Sequence, residues 1–406
     1  MNLPHDKFCV LPWISLEASP IGTVRPCCLA QDEIVSNQGN KFLLGQDSFD
    51  DIRNSNHMIQ LRKELLAGQQ PTTCRRCWAE EDAGRVSKRM HTLDRLKHLS
   101  GLENFTEDVK PLMFVDFKLG NICNLKCRIC GPWSSSTYAV EEIAHTNNNP
   151  KETFAYQMLR QGRWPREQQQ FWQELEQHSD QLRYLEFTGG EPFMIQEHFD
   201  LLQQLVSRDL SHKIEIHYNT NGTQWPNGAE DIWKKFKHVE IAFSIDDIGA
   251  RFEYQRSGAV WTEVEQNIDR FKDMRNRNNN ISLQVCCTVN VFNVLYLAEV
   301  ADWIYSKEFD FVYWNMLHDA PQYSIATLPN LAKEKIARIL NLQIFPQACK
   351  KDIKGIVAFM LNGVSTDGNL LRNSIQQVDQ RRNQNLSLIE PEFAKLIEYD
   401  FKNPPQ

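Results

Sequence analysis

The sequence predicts an α/β protein: a partial (β/α)6 barrel with a small cysteine-rich domain ahead of it and a helical extension behind. Three observations carry the prediction. From Pro111 short apolar runs alternate with amphipathic stretches, as β/α units do. Eight of the 11 cysteines fall into two groups, Cys9 to Cys77 and Cys123 to Cys130, while Cys286, Cys287 and Cys349 lie apart. From Pro329 to Gln406 the pattern is helical and charged.

At 406 residues the chain suits two or three domains, and its boundaries read as 1–100, 111–325 and 326–406. With 41% hydrophobic and 24% charged residues it has the make-up of a globular protein. A net charge of -7 argues against a nucleic-acid partner, which a basic face would attract. No apolar run is long enough for a membrane helix, and Met1 to Lys7 lacks a basic region leading into an apolar core. A cytoplasmic location without a membrane partner is expected. In that reducing setting grouped cysteines are metal or cluster ligands before they are disulfides.

In the first domain, Cys9, Gly22 and Cys27 stand as C-x12-G-x4-C. Two short apolar strands flank Ala18 to Gly22, whose Pro20 and Gly22 suit a hairpin turn, and the hairpin's ends would bring Cys9 and Cys27 together. Cys74 and Cys77 follow a helical segment from Ser48 to Ala67 and begin another helix. Four thiolates from a hairpin and a knuckle can close a tetrahedral set, for zinc as well as for an iron–sulfur cluster. Cys28 reads as a buried neighbour of that set.

Cys123, Cys127 and Cys130 are spaced C-x3-C-x2-C after the apolar stretch Pro111 to Leu119. Three thiolates on one loop can hold three irons of a [4Fe–4S] cluster and leave the fourth open to a small molecule. Three structural cysteines or a partial zinc site are the alternatives.

Barrel strands are expected at 112–119, 182–188, 213–219, 239–246, 282–290 and 311–316, with helices at 199–208, 261–275 and 297–306 among those between them. Six units make an open barrel of the TIM type, and the Asn/Gln-rich span 147–170 reads as an insertion or an extended first helix connection. Alternation puts Glu215, His217 and Asn219 on one face and Ile214, Ile216 and Tyr218 on the other. Asp116 and Lys118, Glu186 and Thr188, Ser244 and Asp246, and Gln284, Cys286 and Thr288 repeat the polar face. Buried parallel strands are ordinarily apolar on both sides. A wet or ligand-filled interior is therefore expected, with Cys287 packed outward.

The cysteine triplet, followed by Phe187-Thr188-Gly189-Gly190-Glu191-Pro192 at the end of the second expected strand, resembles the radical S-adenosylmethionine (SAM) superfamily. The set Cys9, Gly22, Cys27, Cys74 and Cys77 resembles the auxiliary-cluster module called twitch or SPASM, here preceding the barrel that it follows in most relatives. The first resemblance implies a [4Fe–4S] cluster on Cys123, Cys127 and Cys130 that binds SAM. It implies that Gly189, Gly190, Glu191 and Pro192 meet the amino group of the SAM methionine. Asn221, in Asn219 to Thr223, is a further landmark. Ser244 and Asp246 match the position used for the ribose or carboxylate, and Arg256 the arginine that pairs with that carboxylate. A surface salt bridge is the alternative for Arg256, and a plain turn for Asn290 and Asn293. Ile129 departs from the pattern, since that position is commonly aromatic, and no adenine-contacting glycine motif is evident on the fifth strand. The second resemblance implies an auxiliary [4Fe–4S] cluster on Cys9, Cys27, Cys74 and Cys77.

Together they imply an oxidoreductase or peptide-modifying enzyme, supplied with electrons by a reductant such as flavodoxin or ferredoxin. It would cleave SAM to a 5′-deoxyadenosyl radical and abstract hydrogen from a peptide or protein side chain. A small-molecule dehydrogenase or cyclase is the alternative enzyme. A zinc-knuckle interaction protein on a degenerate barrel is the non-catalytic one.

Overall fold

The first hairpin forms where its turn residues put it. β1 (Ser15–Ala18) and β2 (Val24–Arg25) pair antiparallel, with Glu17 opposite Arg25. Gly22 between them has φ +84°, and a Cβ there would stand 2.8 Å from Nε1 of Trp164, so the turn needs glycine twice over. The computed structural model describes residues 3–399 except 83, 85 and 167. Residues 1, 2 and 400–406, at the ends of the expected first and last domains, lie outside the described residues.

The segment read as one helix from Ser48 to Ala67 is two, Phe49–Arg53 and Asn56–Leu66. The side chains of Ser48 and Ser55 each accept a hydrogen bond from the first turn that follows, so the second serine starts a new helix. The remaining strands are β3 (Phe114–Lys118), β4 (Lys126–Cys127), β5 (Tyr184–Thr188), β6 (Glu215–Thr220), β7 (His238–Ser244), β8 (Arg256–Ser257), β9 (Ile281–Val289) and β10 (Phe311–Met316). Six of them fall within about two residues of the expected barrel strands. Eight strands form one mostly parallel, unclosed sheet in the order β10-β9-β7-β6-β5-β3-β1-β2, while β4 and β8 make a separate antiparallel ribbon. The fold is α/β, with the open sheet of a partial barrel.

The sequence treats hairpin and barrel as separate, whereas β1 runs parallel to β3 with Glu17 opposite Asp116. The first strand of an open barrel leaves a row of unpaired N–H and C=O groups, and β1 satisfies them.

The chain divides into two compact units, 1–122 with 157–218 and 228–239, and 123–156 with 219–227 and 240–406. In the first, Phe117 meets Phe171, Phe187 meets His198, and Tyr218 meets Trp233, with ring centroids 5.0 to 5.5 Å apart. These residues fix the helix-packed face of the sheet. The opposite face carries Glu17, Asp116, Glu186 and His217 as successive register partners. Glu215 and His217 are thus turned away from the helices that pack on Tyr218, as alternation requires.

In the second unit β9 and β10 pair in parallel, Cys286 opposite Tyr313. Cys287 is fully buried and Cys286 half-buried. The helices Trp261–Arg277 and Leu297–Ser306 meet through Trp261 and Trp303, centroids 5.0 Å apart. The C-terminal part is helical, chiefly Asn330–Leu342, Lys350–Asn362 and Asn369–Arg382. Among the described residues no helix is long and apolar enough to cross a membrane.

Candidate functional site

Ribbon β4–β8 brings the cysteine motif to Arg256. Cys127 and Arg256 are register partners, and Nη1 of Arg256 lies 3.8 Å from the Cys127 sulfur. Nη2 of Arg256 donates to Asp246 at 2.6 Å, and the other Asp246 oxygen accepts from the Thr288 N–H at 2.8 Å. Arg256 is buried here, so the alternative of a surface salt bridge fails. Its Nε makes no hydrogen bond, which leaves a buried donor for a carboxylate.

Cys123 is held from the other side. Nδ2 of Asn221 lies 3.7 Å from its sulfur and donates to Asn124 at 3.1 Å, while Asn124 donates to Thr223 at 2.9 Å. Cys130, the exposed member, hydrogen-bonds Cys127 and with the Arg256 charge lowers the Cys127 thiol against the effect of burial. Ser244 ends β7 half-buried. Asn290 and Asn293 are fully buried turn formers: Asn293 donates to the Asp246 and Thr288 carbonyls and accepts from the Asn290 N–H. Cys286 sits where burial and the Asp246 charge push its thiol up to about 12.

In the first unit Gly189-Gly190-Glu191-Pro192 is stitched to the backbone just before Cys123. The N–H of Gly190 donates to the Gly120 carbonyl at 3.1 Å and that of Glu191 to Ile122 at 2.7 Å. A Cβ on Gly190 would stand 2.1 Å from the Ile122 oxygen, and Gly189 has φ +112°. Only glycine fits this approach. The Glu191 side chain is fully buried and caps the turn at Phe193.

Also in the first unit, Cys9, Cys27, Cys74 and Cys77 line one cavity, together with Trp78, Lys88 and Arg89. Cys9 precedes the short helix Leu11–Ile14, Cys27 follows β2, and Cys74 and Cys77 flank the start of the helix Arg75–Asp82. Burial, and after it the charge of neighbouring cysteines, pushes the Cys9 thiol well above its ordinary range, Cys27 up to about 11 and Cys74 up to about 12. Four thiolates that repel one another are relieved by a cationic centre, so the donor set fits a metal or cluster. Among the described residues no group of three or more His, Cys, Asp or Glu is closed down around a single metal ion, and the four thiols ring the cavity instead.

Cys28 is not part of that lining. Its thiol is raised by burial and faces Lys88, Asp116 and Glu186. Lys88 donates to Glu186 at 2.9 and 3.2 Å, and Arg89 pairs with Glu81 at 2.5 Å and stacks over Trp78. Sequence reasoning missed Lys88 and Arg89. Their only signal was position, one turn of chain beyond the Cys74–Cys77 helix.

The radical SAM superfamily model matches residues 117–303, and the model of SPASM, an iron–sulfur cluster-binding domain, matches residues 9–78. A search among curated proteins found no match. Among solved structures the chain is similar to native anSMEcpe with bound AdoMet, at 16% identity over 62% of each chain with a TM-score of 0.37. It is also similar to Streptococcus suis SuiB bound to precursor peptide SuiA, at 13% identity over 70% of this chain and 62% of that one, TM-score 0.33. The chain thus spans about 62% of the length of these structures. The two matched domains carry the cofactors with them: a SAM-binding [4Fe–4S] cluster, SAM, and an auxiliary iron–sulfur cluster. With both models matched and the four N-terminal cysteines around one cavity, the chain carries a radical SAM domain with an iron–sulfur cluster-binding SPASM domain ahead of it.

Proposed function

We propose that this chain is a radical SAM enzyme whose site comprises Cys123, Cys127 and Cys130 as cluster ligands and Gly189 to Pro192, Asn221, Ser244, Asp246 and Arg256 as SAM contacts. Its substrate is a peptide or protein side chain, the class that the SPASM resemblance favours. The observation that supports this most is the link from Cys127 through Arg256 to Asp246, with a buried guanidinium donor left unused. When bound, the cluster, given one electron by a reductant such as flavodoxin or ferredoxin, would cleave SAM to methionine and supply a 5′-deoxyadenosyl radical for hydrogen abstraction from an unactivated position.

The chain's own residues do the rest. Arg256 offers a carboxylate a fixed cation, because Asp246 and the ribbon hold it in place. Asn221 steadies the Cys123 sulfur through a weak N–H donor. The backbone of Gly189 and Gly190 gives close, side-chain-free approach. Cys9, Cys27, Cys74 and Cys77 would hold the auxiliary cluster, in a cavity also lined by Lys88 and Arg89, each paired with a carboxylate. The domains at 1–100, 111–325 and 326–406 are read as cluster module, barrel and extension. Cys127→Ala tests the assignment: with SAM and dithionite under anaerobic conditions it forms no 5′-deoxyadenosine. Wild-type amounts from that variant overturn it.

A further inference from the structure

The arginine inside the cysteine motif reaches into the C-terminal extension. The Arg128 side chain is fully buried, and its Nη2 donates to Asp379 at 2.5 Å and to Gln384 at 2.8 Å. Its Nε donates to the Tyr254 carbonyl at 3.0 Å, and the Tyr254 ring lies 3.7 Å from the guanidinium. Asp379 is saturated. It also accepts from the hydroxyls of Tyr254 and Tyr399, at 2.9 and 2.8 Å, and from the Leu386 N–H at 2.9 Å.

One turn further along the same helix, Asn369–Arg382, Nη1 of Arg382 donates to the Lys126 carbonyl at 2.7 Å and to the Ser257 hydroxyl at 3.2 Å. Lys126 and Ser257 are register partners in ribbon β4–β8. Arg382 also grips Glu141 through Nε and Nη2, at 3.1 and 2.8 Å, and Lys126 reaches Glu141 at 2.6 Å. Two side chains spaced i, i+3 therefore hold both flanks of Cys127: the peptide before it and the side chain after it.

Stability alone is a poor account of this arrangement. Buried ion pairs give back most of what desolvation costs, and apolar residues of similar size pack as well or better. What the network does supply is a fixed direction, since forked guanidinium bonds tolerate few geometries.

We propose that the C-terminal extension positions the cysteine loop. Asp379 and Arg382 are its positioning residues, fixing Arg128 and the Lys126–Cys127 backbone so that Cys127 and Cys130 are presented in one arrangement. The role assigned to those thiols rests on the proposed function, whereas the restraint on them does not.

The test uses the full chain, purified anaerobically with its clusters. Arg382→Gln, Arg382→Lys and Asp379→Asn are compared with wild type by residue-resolved iodoacetamide alkylation during a chelator challenge. In Arg382→Gln the thiols of Cys127 and Cys130 should react about tenfold faster, while Cys74, Cys77 and Cys349 keep their wild-type rates. Arg382→Lys, which retains the charge toward Glu141, should recover part of the protection. The electron paramagnetic resonance signal of the reduced SAM-binding cluster, and its shift on adding SAM, should change in Arg382→Gln while the auxiliary signal does not. Unchanged rates at Cys127 and Cys130, or equal acceleration of every cysteine, overturn the proposal. If Arg382→Gln and Asp379→Asn do not fold, Gln384→Ala gives the same comparison, with about threefold acceleration expected and none refuting it. A wild type with no SAM-binding cluster would sink the ligand assignment, and the alkylation ratio would still judge the restraint.

Discussion

Gly190→Ala is the sharpest perturbation of the Gly189–Pro192 segment. The added methyl would meet the Ile122 oxygen at 2.1 Å and its carbonyl carbon at 2.6 Å, against an ordinary contact of 3.4 Å or more. Both atoms are backbone, so no rotamer change relieves the clash. The two segments must part by about 1.3 Å, the shortfall from ordinary contact. That opening breaks the Gly190–Gly120 and Glu191–Ile122 hydrogen bonds, now 3.1 and 2.7 Å. Each is worth about 0.5–1.5 kcal/mol, and overpacking adds about 1–3 kcal/mol, for a total of about 2–6 kcal/mol. The strain falls on Ile122, whose neighbour in the chain is Cys123. Anaerobic thermal melting should show a drop of several degrees, and isothermal titration should show SAM affinity lowered by about tenfold or more. Gly355→Ala is the control: its methyl meets open space in the helix Lys350–Asn362, and it should gain up to about 1 kcal/mol from helix propensity. A Gly190→Ala protein that melts and binds SAM like wild type refutes the reasoning.

Two further outcomes are expected. Replacing Cys74 and Cys77 together by serine should remove about four irons per chain while deoxyadenosine formation survives; unchanged iron with stoichiometric zinc in the wild type would instead mark a knuckle. His198 is fully buried, and burial drives its imidazole down to about 3 although Nδ1 donates to the Ile195 carbonyl at 2.6 Å. Because its folded pKa lies below the ordinary 6.5, the stability it contributes is present above about 6.5 and drains away as pH falls toward about 3. His198→Phe should flatten the melting temperature between those limits, and a slope equal to wild type would show that other groups set it.

Much of this was legible because it is written in local pattern. Barrel strands announce themselves as apolar runs, and the triplet, the Gly-Gly-Glu-Pro segment and the four N-terminal cysteines are short strings with fixed spacing. What stayed hidden depends on partners far away in the chain. Nothing near Arg128 points to Asp379, which lies 251 residues on. Ribbon β4–β8 has two residues per strand, too few for any periodicity. The addition of β1 to the sheet edge is a matter of backbone hydrogen bonds, which side-chain identity does not record. The polar strand face was readable as a face. Its occupation by Lys88 and Arg25 was not, since those cations come from a helix and a hairpin.

The row that runs from Glu17 through Asp116 and Glu186 to His217 also bears on modularity. Glu17 is fully buried and shares its carboxylate between Arg25 on its own hairpin and Lys118 on the first barrel strand. A slip of one residue would turn Glu17 to the opposite face, away from Lys118, and strand a buried charge. The Glu17–Lys118 pair therefore selects which face β1 presents, and Cys27, two residues past β2, inherits its side of the sheet from it. Transplanting this module onto a foreign barrel would need a lysine at the position of Lys118 as well as a free edge. A recipient without one would accept the hairpin in several alignments and scatter its cysteines.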